Sequence, residues 1–146
     1  MRLHAMEPLS SVEVDGYTVK ATPVLHAVEA TGYEVTAPDG RRIFYSGDTG
    51  PGVSGAWPHI RPDTMFLECT LDNANDERAQ RSVHLQPKTW VQALKEFQAL
   101  HGYMPRAVAV HLSPFEEENV RSELPPLATA AGIDFAIAHD GEEFVV

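Results

Sequence analysis

The sequence predicts a mixed α/β fold in which one sheet is covered by helices on a single face. Three observations predict it: two hairpin patterns in the first third of the chain, two short apolar strands further on, and an amphipathic helical segment between those strands. With 146 residues and 43% apolar content, the chain is long enough for one core, so we expect a single domain over residues 1 to 146.

The first third of the chain is typical of paired hairpins. Residues 12 to 24 alternate in polarity on both sides of an Asp-Gly pair, a strong turn signal, and His26 lies just beyond the second arm. Residues 32 to 45 form the next hairpin pattern, which ends in a Ser-Gly-Asp-Thr turn that holds Asp48. Because antiparallel arms return the chain to the same end of a sheet, His26 and Asp48 are expected at one end of it.

The middle of the chain predicts a loop, a buried strand and a second loop. Residues 49 to 62 hold three Gly and three Pro without any period, which is typical of a loop. Residues 64 to 68 are a short apolar run that predicts a buried strand ending in Glu68. The polar run from 72 to 82 predicts a surface loop that leads to His84.

An amphipathic helix is predicted over residues 87 to 101. Pro87 suits its first turn, apolar residues recur at helical spacing, and Gly102 is the predicted stop. Residues 107 to 110 then predict a short apolar strand, and His111 follows it directly. The helix is expected to pack on the sheet that this strand joins.

The end of the chain predicts a second helix and a closing pair of strands. A run of glutamates suits a helix N-terminus because of the helix dipole, and the helix is expected over about 116 to 131. Pro125 and Pro126 are expected to break or restart it. Strands over residues 133 to 138 and 142 to 146 should then pair around an Asp-Gly turn.

Charge and cysteine content exclude several classes of function. The 21 acidic and 11 basic residues give a net charge of −10, which argues against extended nucleic acid and against an anionic membrane as partners. Cys69 is the only cysteine, so an internal disulfide and a cysteine-rich zinc site are excluded. No N-terminal signal peptide and no apolar run long enough to span a bilayer is apparent, so we expect a cytoplasmic protein.

Polar side chains follow three of the predicted strands. His26, Asp48 and His111 each come after an apolar strand, and sheets with covering helices place their sites beyond strand ends. Imidazole and carboxylate together suit Zn²⁺, with Mn²⁺ or Fe²⁺ as alternatives. Three other histidines, which carry no motif, are interpreted as ordinary surface or core residues: His4, His59 and His101.

In their order along the chain, these motifs resemble the C-terminal half of a metallo-β-lactamase-fold hydrolase, and most closely the ribonuclease Z-like branch. The motifs are HAVEATGY at 26 to 33, YSGDT at 45 to 49, LECT at 67 to 70, His84, and VHLS at 110 to 113. Each piece is short, and the specificity lies in their order. The resemblance covers nearly the whole chain from residue 17 onward.

The resemblance implies a role for five side chains. His26 would ligate a first metal, Asp48 would bridge two metals, and His111 would ligate the second. His84 would be a histidine that ligates no metal and instead protonates the leaving alkoxide, oriented by Glu68. Two cations held in this way share a hydroxide and clamp the oxygens of a phosphodiester in an in-line displacement, so Asp48 would also take part in catalysis.

Two departures from the family pattern limit these implications. The signature His-x-His-x-Asp-His, which supplies most ligands of the first metal, occurs nowhere in the sequence. The long arm that tRNA-processing members carry between the positions of His26 and Asp48 is also absent, so processing of tRNA precursors is not expected. The chain thus resembles only the second half of an αββα sandwich, whose two sheets pack face to face.

These observations leave three functional hypotheses. The leading one is a metal-dependent hydrolase of small phosphodiesters or related esters, active once the site is complete. The second is a catalytically incomplete half-domain with a structural or binding role, and the third is a lactonase or thioesterase on the same metal site. Because helices can cover only one side of the sheet, the expected partner is a second copy of the chain or a separate N-terminal half-domain.

Overall fold

A computed structural model describes residues 5 to 146, so His4 lies outside the described residues. Within that range, one sheet contains seven strands that lie side by side in sequence order. The strands are β1 (Ser11–Val14), β2 (Tyr17–Val24), β3 (Ala30–Thr36), β4 (Arg42–Tyr45), β5 (Thr64–Glu68), β6 (Arg106–Val110) and β7 (Phe135–Ile137). The helices are a 3₁₀ helix (Pro51–His59), α1 (Asp76–Ser82), α2 (Pro87–His101) and α3 (Glu117–Ala130).

The sheet is mixed. Strands β1 to β4 pair antiparallel, and β4 to β7 pair parallel. Both predicted hairpins are confirmed: Asp15 and Gly16 have φ of 51° and 85°, the left-handed pair that a tight two-residue hairpin turn requires. The parallel strands need long crossovers, and α2 and α3 supply those between β5, β6 and β7.

The main core lies on one face of the sheet, beneath the helices, which confirms the predicted fold class. Helix α2 begins at Pro87 and ends before Gly102, as predicted, and Gly102 caps it with φ 77°. The fully buried residues of this core include Phe44, Met65, Leu67, Ala107 and Ala109 from the strands and Trp90, Leu94, Phe97, Val120, Leu124 and Ala128 from the helices. These side chains follow the strand period of two and the helical spacing, respectively.

The predicted loop over residues 49 to 62 was wrong in part, because it contains the 3₁₀ helix. The 3₁₀ helix is rich in Gly and Pro but buries three residues, of which Trp57 is the largest. The Trp57 indole Nε1–H donates to the Ala93 carbonyl oxygen at 3.0 Å, so the segment is tied to α2. Burial of this aromatic side chain gives the segment a structure that its turn-like composition does not indicate.

The surface loop predicted over residues 72 to 82 was also wrong, since α1 occupies its second part. The segment lacks apolar periodicity and buries only Ala79. Its charges nevertheless suit a helix: Asp76 and Glu77 lie in the first turn, and Arg81 lies in the last.

Helix α3 continues through both prolines, so the predicted break is wrong. Val120, Leu124 and Ala128 recur every four residues and are fully buried against the core. Their burial keeps the segment helical although Pro125 and Pro126 remove two backbone donors.

The closing strand pair is wrong as well. Strand β7 pairs with β6, and residues 142 to 146 form no strand. Instead the tail crosses the sheet face that the helices leave open, where the Phe144 ring packs edge-on against Phe66 at 5.6 Å between centroids. We call this side the open face; it exposes apolar side chains of the first four strands, including Tyr17, Tyr33 and Tyr45. Apolar burial there outweighs pairing at the sheet edge.

No helix in the described part of the chain has the length and apolar character needed to cross a membrane.

Candidate functional site

Four polar side chains converge beyond one end of the sheet. The rings of His26 and His84 lie 4.8 Å apart, and those of His84 and His111 lie 5.9 Å apart, measured between centroids. On the far side of this row, His111 Nε2 is 3.3 Å from Asp48 Oδ1. Residues that are up to 85 positions apart in sequence, from His26 to His111, thus occupy one place.

The turn after β4 brings Asp48 to this end. Gly47 has φ 61°, and a side chain at its Cα would meet the Thr31 carbonyl oxygen at 3.1 Å, so glycine is required on both counts. Ser46 is fully buried, and its hydroxyl accepts the Glu68 backbone N–H at 3.1 Å. The turn is therefore tied to the end of β5, and Asp48 projects beyond the sheet.

Glu68 is the buried anchor of the site. Its side chain is completely buried, and Oε1 accepts hydrogen bonds from the Thr49 backbone N–H at 2.6 Å and from His84 Nδ1–H at 2.7 Å. Oε2 accepts from the Thr70 hydroxyl at 2.7 Å and from the Leu85 backbone N–H at 3.2 Å. Four donors thus compensate a buried carboxylate, which would otherwise be very unfavourable.

The bond to Glu68 determines how His84 titrates. The hydrogen bond with the Glu68 carboxylate raises the pKa of His84, burial opposes the rise, and the negative charges of Glu68 and Asp48 add to it. Because Nδ1–H is directed at Glu68, Nε2 is the ring nitrogen left to exchange a proton with a ligand. The pair has the arrangement of a histidine acid with a carboxylate that orients it.

His26 is oriented by the backbone. Its Nδ1 lies 3.0 Å from the carbonyl oxygen of Val83, and because a carbonyl oxygen only accepts hydrogen bonds, Nδ1 carries the proton. The lone pair of Nε2 is then available. Histidines that bind metals commonly donate their other N–H to a backbone carbonyl in this manner.

Asp48 and His111 are more exposed than the rest of the site. Their side chains retain 45% and 47% of their accessible surface, respectively, and each lies beyond the end of a strand rather than inside an element. His111 has φ 58°, a left-handed conformation that histidine adopts more readily than most residues, and it turns the chain sharply after β6.

The donor types suit a transition metal, but the described residues do not complete a metal site. Within residues 5 to 146, no group of three His, Cys, Asp or Glu side chains is arranged to hold an ion. His111 and Asp48 contact each other, whereas His26 packs against His84 on the other side. His26, Asp48 and His111 therefore stay a predicted ligand set, which this chain by itself leaves incomplete.

Two cavities flank the histidines. One of about 430 Å³ opens beside His84, and its walls include Leu25, Pro51 and Val83. The other, of about 650 Å³, lies beside His111 and is bounded by Glu117, His139 and Asp140 among others. The first is mainly apolar and the second mainly polar, so the two sides of the site present different surfaces to a ligand.

The sequence analysis assigned no individual role to three residues of the site. Thr49 and Thr70 both donate to Glu68, and the spacing of two between Thr70 and Glu68 at a strand end was the signal that could have found one of them. Val83, whose carbonyl orients His26, has no such signal, because its role depends on backbone conformation.

Two other histidines of the described chain lie away from the site. His101 packs against Phe97 at 4.3 Å between centroids and its Nε2 is 2.9 Å from the Trp57 carbonyl oxygen, at the C-terminal end of α2. His59 ends the 3₁₀ helix and is exposed. Neither residue belongs to the row of His26, His84 and His111.

A family profile described as "Beta-lactamase superfamily domain" matches residues 1–112. None of the curated proteins compared with the chain matches it.

Solved structures share the fold. The metallo-beta-lactamase fold protein YhfI from Bacillus subtilis superposes with a TM-score of 0.72 at 18% identity, covering 92% of this chain and 52% of YhfI. The isothiocyanate hydrolase from Delia radicum gut bacteria superposes with a TM-score of 0.69 at 19% identity, covering 100% of this chain and 60% of the hydrolase. The short form of human tRNase Z superposes with a TM-score of 0.58 at 23% identity, covering 88% of this chain and 43% of tRNase Z. The chain spans from 43% to 60% of the length of these structures.

Proposed function

This chain belongs to the beta-lactamase superfamily, and we propose that it supplies part of the active site of a metal-dependent hydrolase that acts on small phosphodiesters or related esters. The observation that carries the proposal is the row of His26, His84 and His111 beside Asp48, with the buried Glu68 behind its central histidine. The motif order of the ribonuclease Z-like branch supports the choice of phosphodiesters.

The metal would be held by His26 through Nε2, by Asp48 and by His111, with Zn²⁺ proposed first and Mn²⁺ or Fe²⁺ as alternatives. When bound, such an ion lowers the pKa of water and polarises a phosphoryl or carbonyl oxygen. The exposure of Asp48 and His111 leaves both side chains accessible to ligands that this chain does not itself supply.

His84 would act as the general acid. Its raised pKa keeps a larger share of the ring protonated near neutral pH, and the proton on Nε2 is the one that a leaving oxygen would receive. Four hydrogen bonds engage both carboxylate oxygens of Glu68. It would hold the His84 ring in place and stabilise its charged form.

The site would be completed by a partner on the open face. The exposed tyrosines and valines of that face argue for an apolar contact, and either a second copy of the chain or a separate N-terminal half-domain would supply it. The net charge of −10 makes extended nucleic acid an unfavourable substrate, so the proposed substrates are small. We place the protein in the cytoplasm, in keeping with its one buried thiol, Cys69.

A second candidate function is favoured by one observation. Because no three ligand side chains of the described residues are arranged around an ion, the chain would serve as a structural or binding half-domain wherever no partner completes the site. A lactone or a thioester is the third possibility, since the apolar cavity beside His84 would accommodate an acyl chain as well as an alkoxide.

Metal content and hydrolysis, measured together, test the proposal. The purified chain is supplied with Zn²⁺ or Mn²⁺, freed of excess ion and analysed for bound metal, and hydrolysis of bis(4-nitrophenyl) phosphate is followed in the same preparation. If a second copy of the chain completes the site, we expect metal-dependent hydrolysis, which His84→Ala lowers less on this nitrophenyl ester than on an unactivated alkyl ester, without changing metal content. Hydrolysis that is absent, or that chelation of the metal leaves unchanged, contradicts a hydrolase completed by a second copy of the chain and favours the half-domain.

A further inference from the structure

Val83 has a backbone conformation that valine rarely adopts. Its φ of 57° and ψ of 56° place it in the left-handed region, where a β-branched side chain is strongly disfavoured. Such residues persist only where surrounding contacts hold them, and they are concentrated at functional sites. Val83 directly precedes His84, so its conformation bears on the candidate site.

The left-handed turn at Val83 makes two connections at once. Its N–H donates to the Ala79 carbonyl oxygen and ends α1, and its own carbonyl accepts the His26 Nδ1–H at 3.0 Å. A residue in ordinary helical conformation here would direct that carbonyl along the axis of α1, as in any continuing helix. The strained turn therefore directs a backbone acceptor at the ring of His26.

Gly50 is the residue against which this turn packs. A Cβ at Gly50 would lie 2.6 Å from Val83 Cγ1, 3.0 Å from the Val83 carbonyl carbon and 3.1 Å from its oxygen. Any residue can adopt the Gly50 φ of −112°. Glycine is therefore required by the close approach of Val83 and not by the backbone conformation. Its N–H also donates at 2.8 Å to the carbonyl oxygen of Leu25, the neighbour of His26.

We propose that Val83 and Gly50 form a positioning pair that holds His26 in the Nδ1–H tautomer. Gly50 supports the Val83 carbonyl from one side, and the carbonyl takes the proton of Nδ1, so Nε2 keeps its lone pair for a ligand. Neither residue touches substrate or metal; both act through His26. The tautomer is a property of the chain itself, while its use in binding metal rests on the proposed function.

Nitrogen-15 NMR of the histidine rings tests the positioning directly. Long-range ¹⁵N–¹H spectra of the metal-free protein at about pH 8, above the ordinary histidine pKa, distinguish Nδ1–H from Nε2–H. We expect Nδ1–H for His26 in the wild type and a loss of that tautomer in Gly50→Ala. Gly55→Ala is the matched control, because a Cβ there meets nothing within 4 Å. An Nε2–H ring in the wild type, or an unchanged ring in Gly50→Ala, overturns the proposal.

A second pair of variants decides the matter if Gly50→Ala does not fold. Val83→Gly adopts the left-handed turn without strain and retains the carbonyl, so we expect the wild-type tautomer. In Gly50→Ala/Val83→Gly the closest clash is gone, but the alanine Cβ still crowds the carbonyl oxygen at 3.1 Å. The double variant should therefore lose part of the Nδ1–H population relative to Val83→Gly. Equal populations in these two variants overturn the proposal.

Titration with ZnCl₂ in a calorimeter separates this inference from the proposed function. We expect Gly50→Ala to bind Zn²⁺ about tenfold more weakly than the wild type, the usual scale for a lost partner of a metal-binding histidine, and Gly55→Ala to match the wild type. A tautomer change without Zn²⁺ binding in any variant supports the positioning pair and contradicts the metal site. Undiminished Zn²⁺ affinity in a Gly50→Ala protein whose tautomer has changed shows that the positioning has no role in binding.

Discussion

The two acidic residues of the site have opposite environments. Glu68 is completely buried and accepts four hydrogen bonds, one of them from His84. Asp48 retains 45% of its side-chain surface, and its near neighbour is His111 at 3.3 Å. The carboxylate that orients His84 is thus fully hydrogen-bonded within this chain, whereas no three potential metal ligands of residues 5 to 146 are arranged to hold an ion.

This difference follows from the places of the two residues in the sheet. Glu68 ends β5, which has β4 and β6 hydrogen-bonded on its two sides, so neighbouring turns supply backbone and side-chain donors. Asp48 and His111 lie further out, beyond the ends of β4 and β6. Exposed side chains beyond the strand ends can share a ligand with another polypeptide. A buried carboxylate needs hydrogen-bond donors from its immediate surroundings.

Removing Glu68 should have the largest effect. Glu68→Ala leaves the buried N–H groups of Thr49 and Leu85 without an acceptor, so we expect the free energy of unfolding to fall by about 3 kcal/mol or more. Glu68→Gln retains one acceptor oxygen and should lose less. Urea unfolding followed by circular dichroism measures both losses. A loss below about 1 kcal/mol in Glu68→Ala would show that the four bonds contribute little.

Removing His84 should lower turnover and leave metal binding unchanged. In a preparation that hydrolyses phosphodiesters, His84→Gln should lower the rate by roughly 10²-fold on an unactivated alkyl ester, the usual scale for a lost general acid. The loss should be smaller on a nitrophenyl ester, whose leaving group needs no proton. Metal content serves as the control and should match the wild type. Equal losses on both esters would argue against proton donation by His84.

Removing Asp48 tests the proposed metal ligands. Asp48→Ala should weaken Zn²⁺ binding by about tenfold or more, because a carboxylate ligand and its charge are lost. Asp134→Ala, an exposed aspartate before β7, is the matched control. Unfolding free energy should hardly change in either variant, in contrast to Glu68→Ala. Identical metal content in the wild type and in Asp48→Ala would remove Asp48 from the ligand set.

The open face offers a test of how the site is completed. If a second copy covers it, sedimentation equilibrium should give a dimer at micromolar concentration, and Tyr45→Glu should weaken association by about tenfold, as for a truncated aromatic contact. Gln98→Glu, exposed on α2 on the opposite side of the sheet, is the control for an added negative charge elsewhere. A compact monomer with cooperative unfolding would show that the tail alone covers the face sufficiently.

The pH dependence of stability gives the smallest expected effect. Because the folded-state pKa of His84 is raised by its bond to Glu68, its stabilising contribution is complete below the unfolded pKa of about 6.5 and is lost as pH rises through the folded value. In chelator-treated protein, the difference in unfolding free energy between the wild type and His84→Gln should therefore shrink as pH rises above about 6.5. A difference that stays constant with pH would mean that the histidine gains no proton affinity on folding.

Local patterns predicted much of the fold. Both hairpins, the buried strands β5 and β6 and the limits of α2 follow from turn residues, apolar runs and the Pro87 and Gly102 signals. Two failures share a cause: Trp57 and the buried face of α3 depend on what lies across the core, and this contact outweighs composition and even two prolines. The final tail failed for the same reason, since Phe144 finds Phe66 on the open face. Helix α1 lacks apolar periodicity, and only the charges at its two ends indicate it.

By itself, the sequence determined which side chains are candidates for chemistry, because His26, Asp48, Glu68, His84 and His111 stand after apolar strands or within ordered motifs that a reader of the chain can see. Tertiary structure alone decided how they are joined. The tautomer of His26 depends on a carbonyl 57 positions away, and the pKa of His84 depends on a carboxylate 16 positions away. A backbone carbonyl carries no residue identity, and a left-handed valine has no sequence signature, so contacts of this kind exist only once the strands and α1 are brought together.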